Sequence, residues 1–411
     1  MKRYSAFYPV LVILLCAAFL FYKYVLQVYP GIITPDLMRE FNLNGVELGN
    51  LAANYFYAYL ITQVFVGMLL DKYSTRILGG LAIIAGAVGA LIFSETYNLH
   101  MAEFGRLLMG FGTAFATVCY LKNAAVWFKP ERFAFVSGLL ATAAMLGAIA
   151  GQTPLALLVE HFTWRVAIWY VGIVGVALGL LFILLVRDSN PENNALSTVK
   201  YGVSWKDILS VIKNKQNWLL TFYSGLIFTP LAVFGGLWGN PFLVTVHHLS
   251  TRDAATAISA AFLGLAVGAP VLGLVSDRMD QRKKIMMLGT LLAAVAIAVV
   301  VFGSGLNLAI LIALLFIFGF GIGAFMLCFA VGKEANPIIV AATVVSMINL
   351  GDPIFGSFTE PMIGKLLDLS WHGQLINGIR VYSAMDYRVA LSILPIYLVA
   401  AALFLRSVKG K

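Results

Sequence analysis

Apolar residues in this chain follow neither the two-residue alternation of a strand nor the 3.6-residue period of a surface helix. They come in long runs separated by short polar stretches. The runs lie near 6–28, 46–70, 77–94, 99–127, 133–159 and 165–186, then 216–240, 253–275, 284–303, 307–332, 337–365 and 389–406. A helix needs roughly 20 residues to cross the hydrocarbon core of a bilayer, so the pattern predicts twelve transmembrane helices. One connector is long and polar, 187–215 (RDSNPENNALSTVKYGVSWKDILSVIKNK). It divides the chain into a six-helix bundle over 1–186, a linker over 187–215 and a second six-helix bundle over 216–411. The predicted class is an all-α membrane protein of two pseudo-symmetric bundles. Within the linker, 203–213 is predicted to form a short amphipathic helix at the membrane surface.

Composition sharpens this. Hydrophobic residues make up 61% of the chain and charged ones 11%, against about 25% charged in a soluble domain. The net charge of +9 does not indicate a nucleic-acid partner, because the basic residues sit in the connectors. With both termini placed in the cytoplasm, nineteen of the 28 Lys and Arg fall on the cytoplasmic side. Six fall outside, and Lys23, Arg106 and Lys122 lie within spans. That asymmetry follows the positive-inside rule and sets the orientation. Cys16, Cys119 and Cys328 lie in apolar runs, with neither zinc-ligand spacing nor an even set for disulfides. The N-terminus looks like a signal peptide but lacks a small-residue cleavage site, so it is read as an uncleaved first span.

An internal repeat follows. Gly67-Met-Leu-Leu-Asp71-Lys72-Tyr-Ser-Thr-Arg76 after span 2 matches Gly273-Leu-Val-Ser-Asp277-Arg278-Met-Asp280-Gln-Arg282 after span 8, 206 positions on. Gly110-Phe-Gly112 in span 4 matches Gly319-Phe-Gly321 in span 10 at an offset of 209. Gln152-Thr153-Pro154 in span 5 matches Thr359-Glu360-Pro361 in span 11 at 207. Three nearly equal offsets indicate a duplication of six helices. Two such halves with a site at their interface are the architecture of an alternating-access carrier.

With its G-x-x-x-D-x-x-x-x-R loop after span 2, the copy after span 8, Arg106-x-x-x-Gly110, and Gly147-x-x-x-Gly151 with Pro154, the chain resembles the major facilitator superfamily over nearly its whole length. The resemblance implies secondary transport without a cofactor, by a monomer in the cytoplasmic (inner) membrane of a bacterium. It also implies that Asp71, with Gly67 and Arg76, and Asp277, with Gly273 and Arg282, form a cytoplasmic gate. In that family the acid accepts hydrogen bonds from helix N-termini and basic groups of the other half, as the helix dipole favours. Gln152-Thr153 before the proline departs from the pattern of drug antiporters. The segment Leu121–Ala134 resembles nutrient-uptake branches: sugar-phosphate-permease-like proteins, amino-acid carriers of intracellular bacteria and lysosomal dipeptide carriers.

Charges inside spans are costly, so each is a functional candidate. Lys23, with Tyr24 beside it and Gln27 one turn on, reads as a cavity cation or as a lysine snorkelling to the outer interface. Arg106 sits too deep to snorkel, above a polar stripe of Gly110, Thr113 and Thr117. It reads as a cavity cation or as a structural partner of Glu103 or Tyr97. Lys122, near the cytoplasmic end, reads as snorkelling. Asp352 stands mid-span in Ser346-x-x-Asn349-x-x-Asp352-Pro353, and Glu360 two turns on. Both are candidates to carry a proton, Asp352 also to hold a substrate amine or to cap a helix at the Gly351–Pro353 break. Tyr55, Tyr59 and Gln63 share a face of span 2. Span 7 ends in Gly235-Gly236-Leu-Trp238-Gly239-Asn240-Pro241, expected to unwind locally. These line a cavity or form part of an aromatic belt.

The candidate substrate-binding set is therefore Lys23, Gln27, Tyr55, Tyr59, Gln63, Arg106, Trp238, Asn240 and Asn349. Phosphate-loop, metalloprotease and triad motifs do not occur, which argues against an enzyme and against ATP as the energy source. Deep cations in one half and deep acids in the other suit a small zwitterion, provided they converge near the midplane. The expected cargo is an amino acid or short peptide, with organic acids, phosphorylated sugars, siderophores and drugs behind. The rival from another class is a non-transporting receptor on the same fold.

Overall fold

A computed structural model describes residues 7–188, 205–337, 340–376 and 379–408. Predicted linker residues 189–204 and the first residue of the predicted first span lie outside the described residues, as does the side chain of Asp71.

The first half comprises α1 (Tyr8–Val28), α2 (Thr34–Glu40), α3 (Gly45–Lys72), α4 (Thr75–Glu95), α5 (Leu99–Thr113), α6 (Ala116–Trp127), α7 (Pro130–Ala150), α8 (Thr153–His161) and α9 (Trp164–Leu185). The segment predicted as a short helix in the linker is α10 (Trp205–Lys213). The second half has α11 (Lys215–Val233), α12 (Gly239–His247), α13 (Thr251–Met279), α14 (Arg282–Phe302), α15 (Leu308–Ile322) and α16 (Leu327–Glu334). It continues with α17 (Ala341–Asn349), α18 (Gly351–Ser370), a hairpin of β1 (Leu375–Ile376) and β2 (Ile379–Arg380), α19 (Ala384–Leu391) and α20 (Ile393–Ser407). Helix starts are written locally. Ser74, Asn98, Thr163, Asn214, Ser250 and Asn307 each accept a first-turn backbone N–H from their side chains.

Among the described residues, eleven helical stretches are long and apolar enough to cross a membrane. The remaining predicted span, 337–365, is the pair α17 and α18, which meet at Leu350. Asp352, Glu360 and Lys365 lie within it, and Asp368 just beyond. Ile61, Phe65, Val174, Leu184, Val295 and Phe358 are half or more exposed, a surface suited to lipid.

The residues group in two compact units, Met1–Tyr29 with Asn54–Lys200, and Pro30–Ala53 with Tyr201–Lys411. Each unit repeats the same pairings. In the first, α4 packs on α5 and α9, and α1 on α7; in the second, α14 packs on α15 and α20, and α11 on α18. The repeated glycines explain why. A Cβ on Gly110 would strike the carbonyl of Tyr55, and one on Gly319 the carbonyl of Ala261, 206 positions further on. Gly112 lies against Ala82 and Gly86, and Gly321 against Gly289 and Ala293, both offset by 207. Small residues let backbones approach where the bilayer supplies no hydrophobic drive between helices. Even the interruptions match, since α5 ends at Thr113 and α15 at Ile322, just past each Gly-Phe-Gly.

Candidate functional site

The first unit brings Lys23, Tyr59, Tyr55 and Arg106 into one ladder. Lys23 on α1 is 7% exposed, and its Nζ stands 4.3 Å from the centroid of Tyr24 and 4.9 Å from that of Tyr59. Tyr59 stacks on Tyr55 with centroids 6.3 Å apart and planes 20° off parallel. Arg106 on α5 is 1% exposed, with its guanidinium carbon 5.1 Å from the Tyr55 ring and 5.3 Å from the Tyr29 ring. It donates to the Leu26 carbonyl at 2.9 Å. The hydroxyls of Thr113 and Tyr55 lie 2.8 Å apart. Gln27 is buried on α1, and the buried Oε1 of Gln63 finds no donor among the described residues. The side chains of Lys23 on α1 and Arg106 on α5 thus lie against four tyrosines, two of them on α3. A cation over a ring face is held by the ring quadrupole, and desolvation strengthens the attraction.

The other partners considered for Arg106 are engaged elsewhere. Glu103 pairs with His100 at 3.2 Å, and Tyr97 lies under Arg165 at 4.1 Å. Lys122 reaches the Leu70 carbonyl near the C-terminal end of α3. Sequence reasoning missed Tyr29. It directly precedes Pro30-Gly31, where the pattern reads as the end of a span, and no one-dimensional signal places it opposite an arginine of α5.

In the second unit, Trp238 and Asn240 are buried in the widened end of span 7. The local unwinding expected there is instead a π-helical turn, Phe234–Trp238, running directly into α12. Widening re-aims side chains without stripping the backbone of its hydrogen bonds, which a membrane would penalise. Trp238 Nε1 donates to the Glu360 carbonyl at 3.2 Å, and a Cβ on Gly31 would meet Asn240 Nδ2 at 3.1 Å. Glu360 is 1% exposed on α18. Asp352 lies half-buried in the first turn of α18, where the helix dipole favours a carboxylate. Asn349 ends α17, half-buried.

The two repeated loops differ in detail. Arg282 spans Asp277 at 3.0 Å and Glu334 at 2.8 Å. In the first unit, Asp188 takes the Arg76 backbone N–H at 2.9 Å and the Ser74 hydroxyl at 2.5 Å, and Arg76 Nε donates to the Ile183 carbonyl. A Cβ on either Gly67 or Gly273 would meet nothing within 4 Å.

The chain is similar to the "Membrane sensor protein UhpC" of Salmonella typhimurium, 23% identical over 60% of this chain and 59% of that protein. It is also similar to a "Probable L-galactonate transporter" of Escherichia coli, 24% identical over 59% of this chain and 55% of that one. The matches thus span less than two thirds of these relatives' own length. In fold it resembles a crystal structure of a bacterial homologue of the human lysosomal transporter Spinster in an inward-facing, occupied conformation. There the TM-score is 0.80 at 15% identity, over 98% of this chain and 97% of that one. The model of the Major Facilitator Superfamily matches residues 11–359. The protein is a multi-pass membrane protein that belongs to the Major Facilitator Superfamily of transporters.

Proposed function

We propose that the protein is a secondary carrier for a small carboxylate-bearing solute, an amino acid or short peptide first, working by alternating access and driven by protons. The observation that carries this reading is the buried ladder of Lys23, Tyr59, Tyr55 and Arg106. A cationic side chain in a low-dielectric setting attracts a carboxylate far more strongly than it would in water. Arginine adds a planar fork that matches a carboxylate in two-point geometry. The galactonate named for one relative is itself a carboxylate, which brings sugar acids next in order. In this reading Asp352 and Glu360 serve proton coupling, and Asp71 and Asp277 the cytoplasmic gate. The protein works as a monomer in a bacterial inner membrane with both termini in the cytoplasm.

The test is a thermal-shift screen of purified protein against amino acids, dipeptides, sugar acids, sugar phosphates and neutral sugars. Carboxylates are expected to stabilise it, and the same solutes to enter proteoliposomes along an inward proton gradient. Stabilisation by neutral sugars alone would overturn the carboxylate reading. A second reading, a receptor that binds without transport, draws on the sensor relative. It predicts the same stabilisation with no uptake and no counterflow.

A further inference from the structure

We propose that Asp368 is an outer latch, holding the start of span 2 to the end of span 11 and releasing it when the carrier opens outward. The inference rests on the alternating-access reading. Asp368 lies in the last turn of α18, where its own helix dipole disfavours a carboxylate. Its position is instead explained by what it binds. Oδ1 accepts the backbone N–H of Gly45 at 3.1 Å, and Oδ2 that of Val46 at 2.9 Å. Oδ1 also accepts Arg380 at 2.9 Å and the Tyr382 hydroxyl at 2.6 Å. Burial and the Asp368 carboxylate both push the Tyr382 phenol up, so it stays a donor.

These bonds complete the N-terminus of α3. The first N–H groups of a helix have no intrahelical acceptor. Asn44 takes the Glu47 N–H at 2.9 Å, and Glu47 returns the bond to Asn44 at 2.9 Å. Asp368 takes the two N–H groups between them, acting as a cap lent by another helix. Below the cap the backbones nearly touch. A Cβ on Gly45 would meet the Gly364 carbonyl at 2.7 Å, and one on Gly49 the Glu360 carbonyl at 2.5 Å. Glu360, Gly364 and Asp368 recur every four residues, so one face of α18 carries the whole seam.

The test uses the full chain in proteoliposomes, with a reporter cysteine at Ala53 on α3 and an impermeant maleimide outside. Asp368→Asn keeps the shape and removes the charge. It should speed labelling about tenfold and raise amide exchange over 45–48, with the melting temperature retained. Tyr382→Phe removes one donor and should give a smaller rise of the same sign. Asp277→Asn, at the cytoplasmic end, should not raise labelling. Unchanged labelling and exchange in Asp368→Asn overturns the latch. If that variant fails to fold, unchanged labelling in Tyr382→Phe does so. If no carboxylate is transported yet labelling rises, the substrate reading fails and the latch stands.

Discussion

Arg106 is held by contacts of different kinds: a carbonyl at 2.9 Å, the Met109 sulfur at 3.8 Å and two tyrosine faces. Lysine at this position would keep the charge but lose the planar fork that serves all of them together. Arg106→Lys is therefore expected to weaken apparent substrate affinity about tenfold, with a smaller change in maximal rate, in uptake measured against concentration. An unchanged affinity would remove Arg106 from the binding set. Tyr55 separates ring from hydroxyl. Tyr55→Phe keeps the face under Arg106 and deletes only the bond to Thr113, whose own hydroxyl still lies 2.8 Å from the Met109 carbonyl. The expected loss of stability is about 1 kcal/mol with transport retained, read from thermal unfolding and uptake. Loss of transport at constant stability would give the hydroxyl a direct role. The candidate cations were legible because charge inside an apolar run stands out. Tyr29 was not, since its value depends on a neighbour 77 positions away.

Among the elements, the glycines sort by what surrounds them. Gly319→Ala drives a Cβ into the Ala261 carbonyl, and Gly110→Ala into that of Tyr55. Backbone cannot step aside as a side chain can, so each is expected to cost about 1–3 kcal/mol. Gly67 and Gly273 have open space instead. Alanine there should leave thermal stability within about 0.5 kcal/mol, or raise it through helix propensity. If uptake falls in Gly67→Ala while the melting temperature holds, the motif glycine serves a close approach made in another conformation. Equal uptake would show it dispensable. Span positions and the duplication were legible in the runs and in the matched motifs. The breaks after Gly112 and Gly321, the π turn and the junction at Leu350 were not. Each is a backbone adjustment set by a packed neighbour, and hydropathy does not register it.

At the scale of the molecule, the cations and the acids fall in different units. Lys23 and Arg106 belong to the first, Asp352 and Glu360 to the second. The hydropathy pattern gave no hint that 30–53 would pack with the later residues. That grouping arises from Gly31, Gly45 and Gly49 meeting partners far away in sequence. The acids raise the question of coupling, which two kinds of flux separate. Counterflow exchange needs only a loaded site that can face either side. Accumulation along a proton gradient needs a group that also loads and unloads a proton within the cycle. A residue that only binds substrate impairs both, and a residue that only couples impairs the second. Asp352→Asn, which keeps shape and hydrogen-bonding capacity, is expected to abolish pH-driven accumulation in liposomes and leave counterflow intact. Glu360→Gln tests the second acid in the same way, because the Glu360 carbonyl contacts with Trp238 and the α3 seam survive the change. Accumulation lost in Glu360→Gln but unchanged in Asp352→Asn would move the coupling role to Glu360.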